Sequence, residues 1–167
     1  MSNTLANLGT AFSGESQANH RYLFFADKAE REGYPQIAKL FRATAEAETV
    51  HARNHLKTMG GIGSTRDNLQ AAIEGEYHEF TKMYPSFIGQ AKAENNHDAQ
   101  TGFDWANKVE KIHHGLYQKA LKALEAGQQL KDDPYFVCQG CGYTVAGEAP
   151  EKCPICGAPR SMFKRVE

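Results

Sequence analysis

Four glutamates, each set near the middle of an apolar helical seam, constrain this chain more than any other feature. Before residue 128, apolar residues recur at three- and four-residue steps in four stretches, the period of a helix that buries one face. Helix A is expected from about Thr4 to Arg31, with Leu5, Leu8, Phe12, Asn19, Tyr22 and Ala26 on its seam. Gly33-Tyr34-Pro35 is a turn that places proline near the first position of the next helix. Helix B, from about Pro35 to Met59, carries Ile37, Phe41 and Thr44. A glycine-rich loop follows, with Thr65 or Asp67 as the expected cap of helix C. Helix C, from about Asp67 to Glu94, carries Leu69, Ile73, Phe80, Met83 and Phe87, and Pro85 should kink it. After Asn95-Asn96-His97, helix D carries Phe103, Ala106, Tyr117, Ala120 and Leu124 and ends near Gly127.

Glu15 interrupts the first seam between Phe12 and Asn19, and Glu48 with His51 continues the line of Phe41 and Thr44. Glu76 falls between Ile73 and Phe80, and Glu110 with His113 falls between Ala106 and Tyr117. Ionised carboxylates are almost never buried unless paired or bound to metal. The basic residues lie mostly off these seams, and four buried unpaired charges would unfold a domain of ordinary stability. Something positive must sit among them.

The pattern also repeats. Glu15 precedes Glu48 by 33 residues and Glu76 precedes Glu110 by 34, and each second member opens a Glu-x-x-His. Residues three apart share a helix face, so the Glu and His of one motif can reach the same metal pair. A Glu from each of two helices and a Glu-x-x-His from each of two others is the ligand set of dinuclear carboxylate bundles. Carboxylates bridge two cations while neutral imidazole caps each. Glu79, three residues after Glu76, supplies a fifth carboxylate on one side only. His51-Ala-Arg-Asn-His55 lacks the Glu of a zinc-protease helix, so His55 reads as a supporting polar residue. His20, His78, His97 and His114 read as solvated.

All four cysteines fall late, as Cys138-Gln-Gly-Cys141 and Cys153-Pro-Ile-Cys156. Clustered rather than spread, they suit a metal site and not a disulfide scaffold. Four thiolates in paired C-x2-C loops suit zinc or a single iron. By cysteines alone a zinc ribbon fits as well as a rubredoxin-type site; beside a dinuclear bundle, iron is the better reading. Gly142 and Gly157 are expected to leave amides free to bond the sulfurs.

The 167 residues suit a bundle over 1–130 and a small module over 135–167. With 19 basic and 20 acidic residues and no basic stripe, nucleic acid is not an expected partner, nor is an acidic membrane surface. No apolar run approaches the roughly 20 residues of a span. The opening Met-Ser-Asn-Thr-Leu lacks the basic and apolar regions of a signal peptide, so a cytoplasmic location is expected.

Gly14-Glu15-Ser16, Glu48-x-x-His51-Ala52, Gly75-Glu76-x-x-Glu79, Met83-Tyr84-Pro85, Glu110-x-x-His113 and the closing cysteine module together resemble the rubrerythrin family. The resemblance runs in order over essentially the whole chain. It implies a mainly α fold: a ferritin-like four-helix bundle followed by a small β-rich rubredoxin-like domain. It implies a di-iron centre held by Glu15, Glu48, His51, Glu76, Glu79, Glu110 and His113, with His51 and Glu79 alternating on one iron. It implies a further iron on Cys138, Cys141, Cys153 and Cys156, with zinc able to displace iron in both sites. Tyr22 and Tyr84 match tyrosines that hydrogen-bond around the centre. The implied activity is reduction of hydrogen peroxide to water, with electrons from an NAD(P)H-linked reductase or rubredoxin. An iron-handling ferroxidase is the main alternative, and a zinc-ribbon binding module on an inert bundle is a second.

Loop length bears on assembly. In ferritin-like bundles helices B and C run parallel, so their connection must traverse the bundle. Helix B, about 25 residues, is about 37 Å long. The Gly60–Arg66 loop spans at most about 25 Å. A domain-swapped homodimer is therefore expected, hairpin A–B of one chain packing on hairpin C–D of another.

Overall fold

Alanine sets the packing of the first hairpin. The structure, a computed structural model, describes residues 3–166. In it α1 (Asn3–Arg31) folds back on α2 (Pro35–Thr58). The buried residues of the pair are Ala18, Ala26, Ala29, Ala38 and Ala45, small enough to let the helix axes approach closely. Asn19 clamps the two helices, donating from Nδ2 to the Ala45 carbonyl at 2.7 Å and to Thr49 Oγ1 at 2.8 Å. Between the helices, Gly33 takes a φ of +82° that few other residues tolerate, and Tyr34 N–H closes the end of α1 on the Ala29 carbonyl at 2.9 Å. Pro35 then opens α2.

The second helical pair begins with a different cap from the one expected. Ser64, not Thr65 or Asp67, caps α3 (Thr65–His78): its Oγ accepts from Asp67 N–H at 3.2 Å while Asp67 Oδ2 accepts from Ser64 N–H at 3.1 Å. Helix C is also not a single α-helix. After α3 comes a π-helical turn, Glu79–Met83, and then α4 (Tyr84–Ala93). The irregularity therefore precedes Pro85, which sits in the first turn of α4 where its missing N–H costs little. Asn96 caps α5 (His97–Glu125) by accepting from Ala99 N–H at 3.1 Å. Arg66 ties α3 to α5 by a 2.8 Å ion pair with Glu125.

Strands β1 (Tyr135–Cys138), β2 (Thr144–Ala146) and β3 (Phe163–Val166) form an antiparallel sheet in the order β2-β1-β3. Four long helices followed by this small cysteine-bearing sheet are the fold class expected from the sequence.

The chain divides into two compact units, Met1–Gly63 and Ser64–Glu167, so the cysteine module belongs with the second pair of helices. Among the described residues the buried apolar set is seven alanines, Val109, Cys138 and Cys153; no Leu, Ile or Phe is in it. No described helix is long and apolar enough to cross a membrane.

Candidate metal centre

Three clusters of metal-ligating atoms stand out among the described residues, and each lies within one unit. On the first hairpin Glu15, Glu48 and His51 bring one ligand atom each within 4.8 Å of one another. His51 Nδ1 lies 2.9 Å from Glu48 Oε2, the contact that the i, i+3 spacing dictates. His51 is exposed, and Glu48 is largely covered. Tyr22 lies on the same hairpin, its ring 6.1 Å from that of Phe41.

In the second unit Glu76 of α3 meets Glu110 and His113 of α5. His113 Nδ1 is 2.8 Å from Glu110 Oε2 and 3.8 Å from Glu76 Oε1. Burial, reinforced by the adjacent Glu110, raises the Glu76 carboxyl to about 7. The hydrogen bond from His113 to Glu110 raises the imidazole despite its burial. Glu76 Oε2 is buried and has no hydrogen-bond partner among the described residues. A buried orphan oxygen beside a second carboxylate and an imidazole fits a cation.

Glu79 opens the π-helical turn and stands outside this three-residue cluster. Burial and the charge of Glu110 raise its carboxyl above the ordinary range. Tyr84 opens α4, with its ring 6.2 Å from those of Phe87 and Phe103. Burial, then the charges of Glu110, Glu79 and Glu76, raise its hydroxyl. Both groups therefore release their protons at higher pH than they would in water.

The four cysteines converge in the same unit. Cys138 Sγ lies 3.6 Å from Cys156 Sγ, and Cys141 Sγ lies 3.6 Å from Cys153 Sγ. Four sulfurs about 2.3 Å from one tetrahedral ion would stand about 3.8 Å apart, whereas a disulfide needs about 2.05 Å. Gly140 allows the approach, since a Cβ there would meet Cys156 Sγ at 3.3 Å. The two glycines leave backbone amides for the sulfurs, as expected, though not their own. Gly142 and Gly157 N–H bond the Cys138 and Cys153 carbonyls at 2.9 and 3.0 Å. Their φ values of +83° and +79° swing the next amides, those of Tyr143 and Ala158, against the Cys141 and Cys156 sulfurs. Burial opposes ionisation of Cys153, yet the Cys156 and Ile155 amides bring its thiol down to about 7. Burial pushes Cys141 and Cys156 up. The Cys153 thiolate forms readily, whereas burial disfavours those of Cys141 and Cys156, which a cation would offset. The donor set fits an iron or zinc ion.

Sequence reasoning missed two contributors. His113 Nε2 lies 3.0 Å from Thr144 Oγ1 on β2, a contact between residues 31 apart that no local pattern signals. His114 is not solvated: its Nδ1 lies 3.0 Å from the Ile73 carbonyl, and its ring packs on Phe80 and Tyr77.

Comparison with known proteins agrees with this arrangement. The rubrerythrin family model matches residues 6–121, and the model of the rubrerythrin rubredoxin-like domain matches 136–164. Rubrerythrin-2 of Clostridium acetobutylicum is 37% identical, over 94% of this chain and 93% of that one. Rubrerythrin of Porphyromonas gingivalis is 37% identical, over 99% and 91%. Nigerythrin of Nitratidesulfovibrio vulgaris is 36% identical, over 96% and 85%. A nigerythrin structure in a partially reduced state superposes with a TM-score of 0.59 at 35% identity, covering 99% of this chain and 88% of that one. A fully reduced, all-ferrous nigerythrin structure gives the same TM-score. The carboxylate–histidine ligands are those of a di-iron site, and the four cysteines those of a rubredoxin-like site. With both family models matched in order and relatives alike over nearly their full length, the chain belongs to the rubrerythrin family.

Proposed function

We propose that this chain is a non-haem di-iron peroxidase that reduces hydrogen peroxide to water in defence against oxidative stress. The observation that carries the reading is the Glu76–Glu110–His113 cluster with Glu79 beside it, a carboxyl that burial and the charge of Glu110 shift toward its protonated form. Cleaving peroxide needs protons as well as electrons, and Glu79 is placed to supply one. Each H2O2 takes up two electrons and two protons as its O–O bond breaks, leaving two molecules of water.

When bound, the two irons supply both electrons of one turnover, and the four-cysteine iron restores them one at a time. Glu15, Glu48, Glu76 and Glu110 would hold the pair, with His51 and His113 as the imidazole ligands. Glu79 keeps its proton to higher pH than an ordinary carboxyl and passes it to the departing oxygen. Once ionised, Glu79 could serve as a ligand in place of His51, whose ring is exposed. The Tyr84 hydroxyl, raised by burial and the neighbouring carboxylates, would donate a hydrogen bond into the cluster, and Tyr22 would donate one from the first hairpin. Electrons enter at Cys138, Cys141, Cys153 and Cys156 from an NAD(P)H-linked reductase or rubredoxin.

The working unit is a domain-swapped homodimer. Ile37 and Leu40 stand eleven residues, about three turns, before Glu48 and His51, and so on the same face of α2. They are 48% and 63% exposed. An apolar face beside half a ligand set needs a cover. The second unit of another copy supplies both cover and remaining ligands. Residues 1–130 of two copies thereby form two bundles, with 135–167 as the rubredoxin-like domain of each.

Stopped-flow mixing of the reduced, iron-loaded protein with peroxide tests the activity. One peroxide should be consumed per reduced pair, and Glu79→Ala should slow the step by about 10²–10⁴-fold, the usual contribution of a positioned acid. A carboxylate site that stays reduced in peroxide would end the peroxidase reading.

A further inference from the structure

Thr144 belongs to the cysteine module, yet its hydroxyl meets the ring of His113 on α5 at 3.0 Å. The hydroxyl has one proton and donates it to the Gly142 carbonyl, also at 3.0 Å. Toward His113 Nε2 it can then only accept. The Gly142 carbonyl itself lies within hydrogen-bonding reach of the ring, a second acceptor on that side. An Nε2 without hydrogen would face lone pairs alone, so Nε2 carries the hydrogen. With Nε2 holding its hydrogen, Nδ1, which faces Glu110 Oε2 and Glu76 Oε1, is the atom left to take a cation.

We propose that Thr144 is a positioning residue of the carboxylate site: it fixes His113 as the Nε2–H tautomer, presents Nδ1 as the ligating atom and ties that ligand to the fold of the cysteine module. The loop that carries the tie is firmly seated. Gly142 needs its positive φ, and a Cβ there would meet the buried Val109 of α5 at 3.7 Å. His51 has no such tie. Glu48 is its hydrogen-bond partner among the described residues, and its ring is exposed. The cysteine module thus acts on one of the two histidines.

The inference rests on the metal-site reading above, and zinc(II) added to the full-length chain with 15N-labelled histidine separates the two. In the wild-type protein His113 should show a metal-bound Nδ1 and a slowly exchanging Nε2–H. Thr144→Val should weaken zinc at that cluster by about 10–100-fold, the usual cost of losing an outer partner of a ligating histidine, and speed Nε2–H exchange. Thr144→Ser should restore both, and the His51 signals should stay put. The absorption of cobalt(II) bound to the four cysteines checks that each variant keeps its module folded. Zinc bound through Nε2 of His113 in the wild-type protein overturns the inference without any variant. So does Thr144→Val with unchanged affinity and exchange. If zinc never reaches Glu76, Glu110 and His113 in the wild-type protein, the metal-site reading falls as well.

Discussion

Glu15, Glu48 and His51 on the first hairpin and Glu76, Glu110 and His113 in the second unit are the same side-chain types at nearly the same spacing. In both, the histidine Nδ1 sits against its motif glutamate, at 2.9 and 2.8 Å. Their surroundings differ. The His51 side chain is 54% exposed and that of His113 25%, held from behind by Thr144. Burial raises Glu76, Glu79 and Tyr84 on the second side, where the proton donors gather. Spacing chooses which atoms can ligate; packing decides which of them can also hold a proton.

The largest expected effect comes from keeping the halves apart. Ile37→Glu with Leu40→Glu places charge on the exposed apolar face of α2 beside Glu48 and His51. The double variant should sediment as a monomer and hold no di-iron pair, while the four-cysteine site, complete within the second unit, keeps its metal. A monomer that retained full iron in the carboxylate sites would refute the swapped assembly.

Next comes the inequality of the histidines. His113→Ala removes a ligand and its anchor together and should cost at least about 100-fold in zinc affinity, the upper end for losing an outer partner alone. His51→Ala should cost about 10-fold, because Glu79 can take the vacated position. Competition with a chromophoric chelator measures both, and equal losses would erase the distinction between the halves.

A smaller effect separates the halves by pH. An acid whose folded pKa is raised favours the fold below its ordinary value near 4.5 and loses that contribution as pH rises through the raised one, here about 7 for Glu76. In the metal-free protein, Glu76→Gln should therefore match the wild type at pH 4.5. At pH 8 it should melt higher by about 2–4 °C, the shift 1 kcal/mol makes in a chain of this size. Thermal melts at the two pH values measure it, and metal should reverse the order.

How much of this was legible depends on range. The four core glutamates and both Glu-x-x-His pairs follow from helical phase, which is local, and the structure brings them into clusters of three. The paired cysteine loops are as local and as clear. The π-helical turn at Glu79–Met83 has no sequence marker, since one extra residue in a helix leaves composition unchanged, and Pro85 drew attention to the wrong turn. Thr144 and His114 were missed for the opposite reason: their partners, His113 and the Ile73 carbonyl, lie 31 and 41 residues away. The local rule of glycine after cysteine pointed to the right loops, and the amides that bond the sulfurs are those of the residues that follow, Tyr143 and Ala158.

The smallest effect concerns how the second unit begins. The first hairpin starts α2 with Pro35 and no side-chain cap, whereas the second starts α3 with the reciprocal Ser64–Asp67 box. Ser64→Ala leaves the Asp67 N–H without its acceptor and should cost about 1 kcal/mol, read as a lower melting temperature. Asp67→Ala removes the other half of the same box, so the double variant should cost less than the two single losses summed. Strict additivity would mean that the two hydrogen bonds act independently, and that each side chain caps α3 alone.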